Sequence, residues 1–551
     1  MRLVIFFFCT VCFLTSVSFG QIAPLIEDDG VTGELHRANV GRVTFMAKPV
    51  PPEDYRETDF LTSFELRPDA DLNIRVFMRR SLTNYLHGLA PEMSAAELVA
   101  RGNYRFSFFV DDRPVYTENL NAGAGALENK NRRTVFRVPL LSPTNEDSWG
   151  RFLWNRFMMN GGEDALTPGA HRLKIEIRPY LQTETVKIGE LIAEGALTVV
   201  VKAPEIDERR IAVQKIAPGS GWPLSNDGFD REKLRALNRR IAENYFKEID
   251  ALVVVKNGRL LIEEYFNGAG RATLHDTHSV GKTFASALAG LALRDGYLKS
   301  VDQRLGEFYD LRKYDNYDPR KENVTLRSLL TMSSGFDGFD FDEKSPGNEE
   351  NMYPQPDWVK WTLDLPMSKN EPGARWAYFT AGVVVLGDIL DRRVPGGLEK
   401  YAARRLFGPL GIDKYEWQYT PQKVVNTAGG LRMPALSLAR FGQLYKNGGR
   451  WGNRRILPAK WVADSLQSYF RVPGDETGYG FLWWSKTYRV GGRGYEVFYC
   501  SGNGGSKIVV FKDLPFVVVI AASAYNRPYM HAQIDKMMTG YLIPMLAGGG
   551  R

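Results

Sequence analysis

The chain has 551 residues, 44% hydrophobic and 25% charged, a globular composition with ample material for a buried core. Lysine and arginine outnumber aspartate and glutamate by 71 to 64, too weak a bias over this length for a nucleic-acid binder, and no long basic run carries interleaved aromatics. Three cysteines exclude a disulfide scaffold, and six histidines leave little for metal clusters.

Residues 1–20 read as a secretory signal: Arg2, an apolar run Leu3–Leu14, then Ser18-Phe19-Gly20 ahead of Gln21. The competing reading is an uncleaved anchor, because the apolar character continues to Phe19. No lipobox pattern precedes Cys9 or Cys12. Cleavage would remove both and leave Cys500 alone, with a net charge of +6 (70 basic against 64 acidic residues). The expectation is an exported protein, periplasmic or secreted, without an intrachain disulfide. Phe516–Ala524 is too short for a membrane span and reads as a buried strand.

From 21 to 203 short β-rich runs follow one another: Val43–Ala47, Leu72–Met78, Tyr104–Val110, Thr134–Val138, Leu173–Ile177 and Gly195–Val201. In Arg172–Arg178 apolar and charged residues alternate, so Leu173, Ile175 and Ile177 share one face. With little helical patterning, this stretch is expected to be an all-β, sandwich-like accessory domain. A boundary near Lys202–Arg210 opens a second domain, 204–551, which starts with a helical pattern over Phe229–Tyr245.

Next comes a β-hairpin, Ile249–Val255 and Arg259–Tyr265 around Asn257-Gly258. After it stands Ser279-Val280-Gly281-Lys282, followed by Val280, Phe284, Leu288 and Leu291 at helical spacing. Ser279 and Lys282 are three apart and share a helix face. A serine becomes nucleophilic when a neighbouring base takes its proton, and burial can make an amine that base. The helix start adds free N–H groups where an oxyanion forms. In isolation, S-x-x-K is more often an N-cap serine and a solvated lysine. Gly281-Lys282-Thr283 resembles the end of a phosphate-binding loop, but Asp276 stands where that motif needs its first glycine.

Further along come Ser328-Leu329-Leu330-Thr331-Met332-Ser333-Ser334-Gly335 and Glu371-Pro372-Gly373, a turn that delivers Tyr378-Phe379-Thr380 to an apolar helix, Val383–Leu390. Ala428-Gly429-Gly430-Leu431-Arg432 then leads to Ala439-Arg440-Phe441-Gly442. Finally Tyr499-Cys500-Ser501-Gly502-Asn503-Gly504-Gly505 joins the strand Tyr495–Tyr499 to strands Ile508–Phe511 and Phe516–Ala522. Five such segments in this order resemble the class C β-lactamase-like serine hydrolases, which include penicillin-binding proteins, esterases and nylon-oligomer amidases. The resemblance runs from about Ala203 to the C-terminus. It implies an α+β, β-lactamase/transpeptidase-like fold, an antiparallel sheet flanked by helices with a helical insertion between the first two motifs.

By the same resemblance Ser279 is the nucleophile, Lys282 its partner and Tyr378 the proton relay. The backbone N–H groups of Ser279 and Asn503 form the oxyanion hole, and Thr380, Trp376, Cys500, Ser501 and Gly502 contact substrate. Two positions depart from the pattern. Thr380 replaces an asparagine, as in the nylon-oligomer amidase branch, and Cys500 replaces the lysine that binds a substrate carboxylate. That favours a neutral ester or amide, with Arg432 and Arg375 as candidates for the missing charge. No cofactor is implied. His275 and His278 are expected to be structural in preference to metal ligands, and Trp358, Trp361, Trp483 and Trp484 are cleft or core. The implied function is hydrolysis of an ester or amide through a Ser279 acyl-enzyme. The alternatives are a catalytically silent binding protein and a peptidoglycan-processing or β-lactam-binding protein.

Overall fold

The computed structural model describes residues 23–51, 54–67, 70–142, 149–203 and 206–548; the expected signal at 1–20 lies outside them. The chain divides into two compact units, Met1–Glu205 and Ile206–Arg551.

In the first unit the strands are β1 (Val43–Met46), β2 (Ser63–Glu65), β3 (Leu72–Phe77), β4 (Gly102–Val110), β5 (Arg113–Asn119), β6 (Val135–Leu141), β7 (Gly169–Gln182), β8 (Val186–Ile188) and β9 (Ala193–Val201). They form a three-stranded sheet, β1-β3-β6, and a six-stranded sheet, β2-β9-β7-β4-β5 with β8 on β7. Every pairing is antiparallel except β2 with β9. The alternation in β7 has the expected result: Leu173, Ile175 and Ile177 are buried and meet Ile74 and Val76 of the small sheet in one core. Helices also enter that core. Leu98 comes from Ala95–Arg101, and Trp154 and Phe157 come from Trp149–Phe157. One of these helices had a readable start, since Ser94 and Glu97 form a reciprocal capping box. At 7 and 9 residues both are too short for a periodicity window.

The second unit is built on β10 (Ile249–Lys256), β11 (Arg259–Tyr265), β12 (His275–Asp276), β13 (Glu416–Trp417), β14 (Leu431–Met433), β15 (Arg450–Trp451), β16 (Arg454–Arg455), β17 (Phe470–Arg471), β18 (Gly478–Tyr479), β19 (Trp484–Val490), β20 (Arg493–Ser501), β21 (Lys507–Phe511) and β22 (Phe516–Ala522). An eight-stranded antiparallel sheet runs β11-β10-β22-β21-β20-β19-β18-β17. Asn257 and Gly258, both at positive φ, close the β10–β11 hairpin.

Both faces of the central strands are covered, which is why Ala251–Val255 of β10 and the whole of β22 read as unbroken apolar runs. Ala251, Val253, Val517 and Val519 face one core, and Leu252, Val254, Val518 and Ile520 the other. Against the second face lie α1 (Arg231–Ala242) and, beyond the sheet, the C-terminal helices. Against the first lie α2 (Gly281–Arg294), α3 (Thr380–Arg393) and α4 (Ala435–Lys446). Between α2 and α3 come short helices, including Leu326–Leu330 and Trp358–Asp364.

Candidate active site

Ser279 is positioned by a strand that ends abruptly. In β12, His275 and Asp276 pair with Met433 and Arg432 of β14. Thr277 then fixes the chain to the same strand, its N–H and hydroxyl both donating to the Leu431 carbonyl, at 3.0 and 2.5 Å. His278 follows at φ +42°, a conformation rare outside glycine, and one 3₁₀ turn, His278–Val280, leads into α2. From Gly281 to Ala292 every residue of α2 is buried, so this is a core helix with apolar contact all round.

Lys282 is therefore inside the protein, 2% exposed. Its Nζ lies 2.7 Å from Ser279 Oγ and donates to the Ala428 carbonyl at 2.6 Å. The alternative of a solvated lysine is overturned by this burial. Desolvation lowers the Lys282 pKa from its ordinary value, against a smaller opposing pull from Glu349 and Asp340.

Tyr378 arrives from the Pro372-Gly373 turn and shares a hydrogen bond with Ser279. Its ring lies 5.3 Å from Lys282 Nζ. Burial raises its pKa, so the phenol stays protonated at neutral pH. Phe341 stacks on the ring at 5.2 Å and 6°, and Trp484 at 5.6 Å and 24°. Trp376 and Tyr479 meet it at 6.3 and 6.4 Å. Phe341 remains 63% exposed, so this aromatic group opens to solvent on one side. Trp483, in contrast, is a core residue against Phe441 and Tyr445.

One carboxylate in this cluster was not anticipated. Asp340 donates its N–H to the Tyr378 carbonyl at 2.9 Å. Its carboxylate accepts the N–H of Thr380 at 2.7 Å and of Glu349 at 3.0 Å. Burial, then the nearby Glu349 charge, pushes its pKa up to about 6. The Thr380 side chain is itself buried at the first turn of α3.

The third segment reaches the nucleophile through a glycine. A Cβ on Gly502 would sit 2.4 Å from the Thr277 carbonyl oxygen, so only glycine lets this strand end approach the turn before Ser279. Asn503 exchanges two hydrogen bonds with Asn526, at 2.7 and 2.8 Å. Asn503 lies in the turn after β20, and its backbone N–H donates in none of the described turn and loop backbone hydrogen bonds.

The flanking residues take other places. Cys500 is fully buried, its thiol hydrogen-bonded to Thr283 of α2 and its pKa raised by desolvation. It packs into the core and does not line a substrate surface. Ser501, one residue on, accepts from Lys507 Nζ at 3.0 Å. Arg432 is engaged by Glu416 at 2.9 Å, and Arg375 is exposed. His275 is buried, which holds its pKa down at about 4. His278 lies against Tyr525 at 4.8 Å. Among the described residues no group of three or more histidines, cysteines or acids is arranged to hold a metal.

The Beta-lactamase family model matches residues 242–537, more than half of the chain. The chain belongs to that family. Its eight-stranded sheet and flanking helices are the β-lactamase/transpeptidase-like fold, with an additional, mostly antiparallel sheet region ahead of it. This Beta-lactamase family member is 22% identical over 260 residues to a candidate penicillin-binding protein, PbpX, of Bacillus subtilis, covering 44% of this chain and 64% of that one. It is 31% identical over 133 residues to the lovastatin esterase of Penicillium rubens, covering 22% and 33%. Thus the chain spans less than two thirds of the length of either relative. Among solved structures it is similar to EstCE1, described as a hydrolase with promiscuous acyltransferase activity, at 15% identity and TM-score 0.47, covering 55% of this chain and 97% of that one. No helix among the described residues is long and apolar enough to cross a membrane.

Proposed function

We propose that the protein is an exported serine hydrolase that cleaves a neutral ester or amide through an acyl-enzyme on Ser279. The observation that carries this reading is the buried Lys282 amine 2.7 Å from Ser279 Oγ, with the Tyr378 phenol bonded to the same serine. Lys282, its pKa depressed, takes the Ser279 proton as Oγ attacks the substrate carbonyl carbon. The N–H groups of Ser279 and Asn503 hold the resulting oxyanion. Tyr378 donates a proton to the departing alcohol or amine as the carbonyl–heteroatom bond breaks, and Lys282 restores it. Water then attacks the acyl carbon, releasing the acid and regenerating Ser279.

The aromatic group around Tyr378 supports an apolar acyl or aryl group on the substrate. Cys500 packs into the core and Arg432 is held by Glu416, so neither is offered to the carboxylate of a β-lactam or a peptide terminus. The test is a fluorophosphonate probe on the native protein: labelling that disappears in Ser279→Ala supports the reading, and folded protein that takes no label refutes it. A panel of p-nitrophenyl esters and anilides then separates ester from amide preference. Export rests on residues 1–20, and N-terminal sequencing of the mature protein is expected to begin at Gln21.

A further inference from the structure

Phe341 belongs to the aromatic group around Tyr378, yet the proton transfers make no use of it. It is 63% exposed, and among the described residues no large apolar side chain is more so. A single exposed ring is ordinary on a protein surface. This one lies flat on the phenol that bonds the nucleophile, 5.2 Å from the Tyr378 ring and 6° from parallel. The other rings that meet Tyr378 are engaged. Trp376 and Tyr479 are buried, and Trp484 stacks on Tyr499 as well, at 6.2 Å and 20°. Phe341 alone among them keeps most of its surface in solvent.

The turn that carries Phe341 is anchored at several points. Its two neighbours, Asp340 and Asp342, both give their carbonyls to the Asn348 side chain, at 3.1 and 3.2 Å. Asp340 also grips the chain on either side of Phe379, donating to the Tyr378 carbonyl at 2.9 Å and accepting from the Thr380 N–H at 2.7 Å. The Phe339 N–H donates to the Ser345 hydroxyl at 2.9 Å. Gly338 lies so close to Phe379 that a Cβ there would meet its ring at 2.3 Å. A ring fixed before a ligand arrives loses little freedom on binding, so this turn presents Phe341 as a prepared surface.

Its place decides which part of a substrate it meets. Tyr378 hands its proton to the departing heteroatom, so the group bonded to that heteroatom begins within hydrogen-bond reach of the phenol. The acyl group is held on Ser279 instead. A ring lying flat on Tyr378 therefore borders the leaving group, and its open face suits a planar, apolar partner.

We infer that Phe341 is a specificity-determining residue that selects esters and amides of aromatic alcohols and amines, its open face stacking on the leaving group. This rests on the reading of Ser279 and Tyr378 and adds the side of the scissile bond on which the substrate's ring lies.

The experiment compares two isomeric esters, 2-naphthyl acetate, with its ring on the leaving group, and methyl 2-naphthoate, with its ring on the acyl group. The quantity read is the ratio of their kcat/KM values, naphthyl acetate over naphthoate, in the full-length protein and its variants. Comparing each variant with wild type cancels the different intrinsic reactivity of the two esters. In Phe341→Ala the ratio is expected to fall by about tenfold, the scale of one stacked aromatic contact with its buried area. Phe341→Tyr keeps the flat ring and should keep the preference; Phe341→Leu keeps an apolar side chain without a ring face and should lose it. Circular dichroism and melting temperature establish that each variant is folded. A ratio unchanged in folded Phe341→Ala, or retained in Phe341→Leu, overturns the inference. So does a ratio that rises, which would make the ring an obstruction or place it on the acyl side. Fluorophosphonate labelling separates this failure from that of the underlying reading. Folded wild-type protein that takes no label refutes the role of Ser279, and the inference falls with it. Protein that takes the label at Ser279 but hydrolyses neither ester overturns the inference alone.

Discussion

At the scale of single residues, the site rests on one serine hydroxyl, one buried amine and one phenol. Ser279→Ala removes a small group from a half-buried position and is expected to leave the fold intact. Loss of such a nucleophile costs on the order of 10⁶ in kcat in a well-studied protease. Retention of a tenth of the activity would show that Ser279 is not the nucleophile. Lys282 adds a pH signature. Only its neutral form accepts the proton, so kcat/KM should rise with pH through a midpoint below the ordinary lysine value of 10.5, the direction in which burial moves it. Lys282→Arg keeps a permanent charge and should be inactive across that range; an active Lys282→Arg enzyme would remove the amine from the mechanism. Tyr378→Phe should likewise fall by orders of magnitude with little change in melting temperature.

These three residues were legible because S-x-x-K spacing alone puts serine and lysine on one helix face, and because Tyr378 stands at a Pro-Gly turn before an apolar helix. Asp340 was not, since it comes from a loop and nothing in its local sequence ties it to Tyr378 or Thr380. Cys500 was placed by its slot in a motif, which says where along a strand a residue lies but not which face it takes. The strand's period of two settles that: Val497 and Tyr499 face one core, and Cys500 faces the other.

Among elements, the nucleophile turn depends on how closely the end of β20 can approach it. Gly502→Ala would drive a methyl group to 2.4 Å from the Thr277 carbonyl, two residues before Ser279. A displacement of about 1 Å at a reacting group costs roughly 10² in rate. Activity is therefore expected to fall by about that factor, even though neither alanine nor glycine takes part in chemistry; wild-type turnover in Gly502→Ala would show that the approach is not needed.

On the far face, β11 carries a carboxyl with a different consequence. Glu264 is fully buried, bonded to the Gln214 N–H at 2.9 Å and the Asn238 amide at 3.2 Å, and desolvation pushes its pKa up to about 7 from 4.5. Between those values the folded state holds the proton more tightly than the unfolded one, so this group's contribution declines as pH rises from 4.5 to 7. The shift corresponds to about 3 kcal/mol. Glu264→Gln should therefore be more favourable to stability at pH 8 than at pH 4, by an amount of that order, in denaturant titrations at the two values. An equal effect at both pH values would mean that folding does not raise the Glu264 pKa. His275, held down at about 4, has the opposite slope between pH 4 and 6.5, so only the difference between variant and wild type isolates Glu264.

Element legibility followed turn chemistry and length. The β10–β11 hairpin was readable because Asn257-Gly258 is the preferred pair for two positive φ values. The β4–β5 hairpin uses Asp111-Asp112 in the same positive-φ conformation, a pair the turn rules favour less, and β5 went unrecognised.

Over the whole molecule, the two units differ in how they bury apolar surface, and each does so with its own residues. The core of the first is drawn from Val43 to Val199, between its two sheets and the helices that join them. The cores of the second are drawn from Trp222 onward, on the two faces of one sheet. Ser279, Lys282, Tyr378, Asp340 and the Gly502–Asn503 turn all belong to the second unit. A chain beginning at Ile206 keeps every one of these groups and both cores that hold them, and the cut falls at the division between the units. It is expected to stay folded and to react with a fluorophosphonate at Ser279 at a rate close to that of the full chain. Turnover on a large or surface-bound substrate can fall without contradicting this, because probe labelling reports only the nucleophile and its base. A truncated chain that is monodisperse and cooperatively folded but takes no label would show that the first unit contributes a group to the site, and the assignment of all the chemistry to residues after 205 would then be wrong.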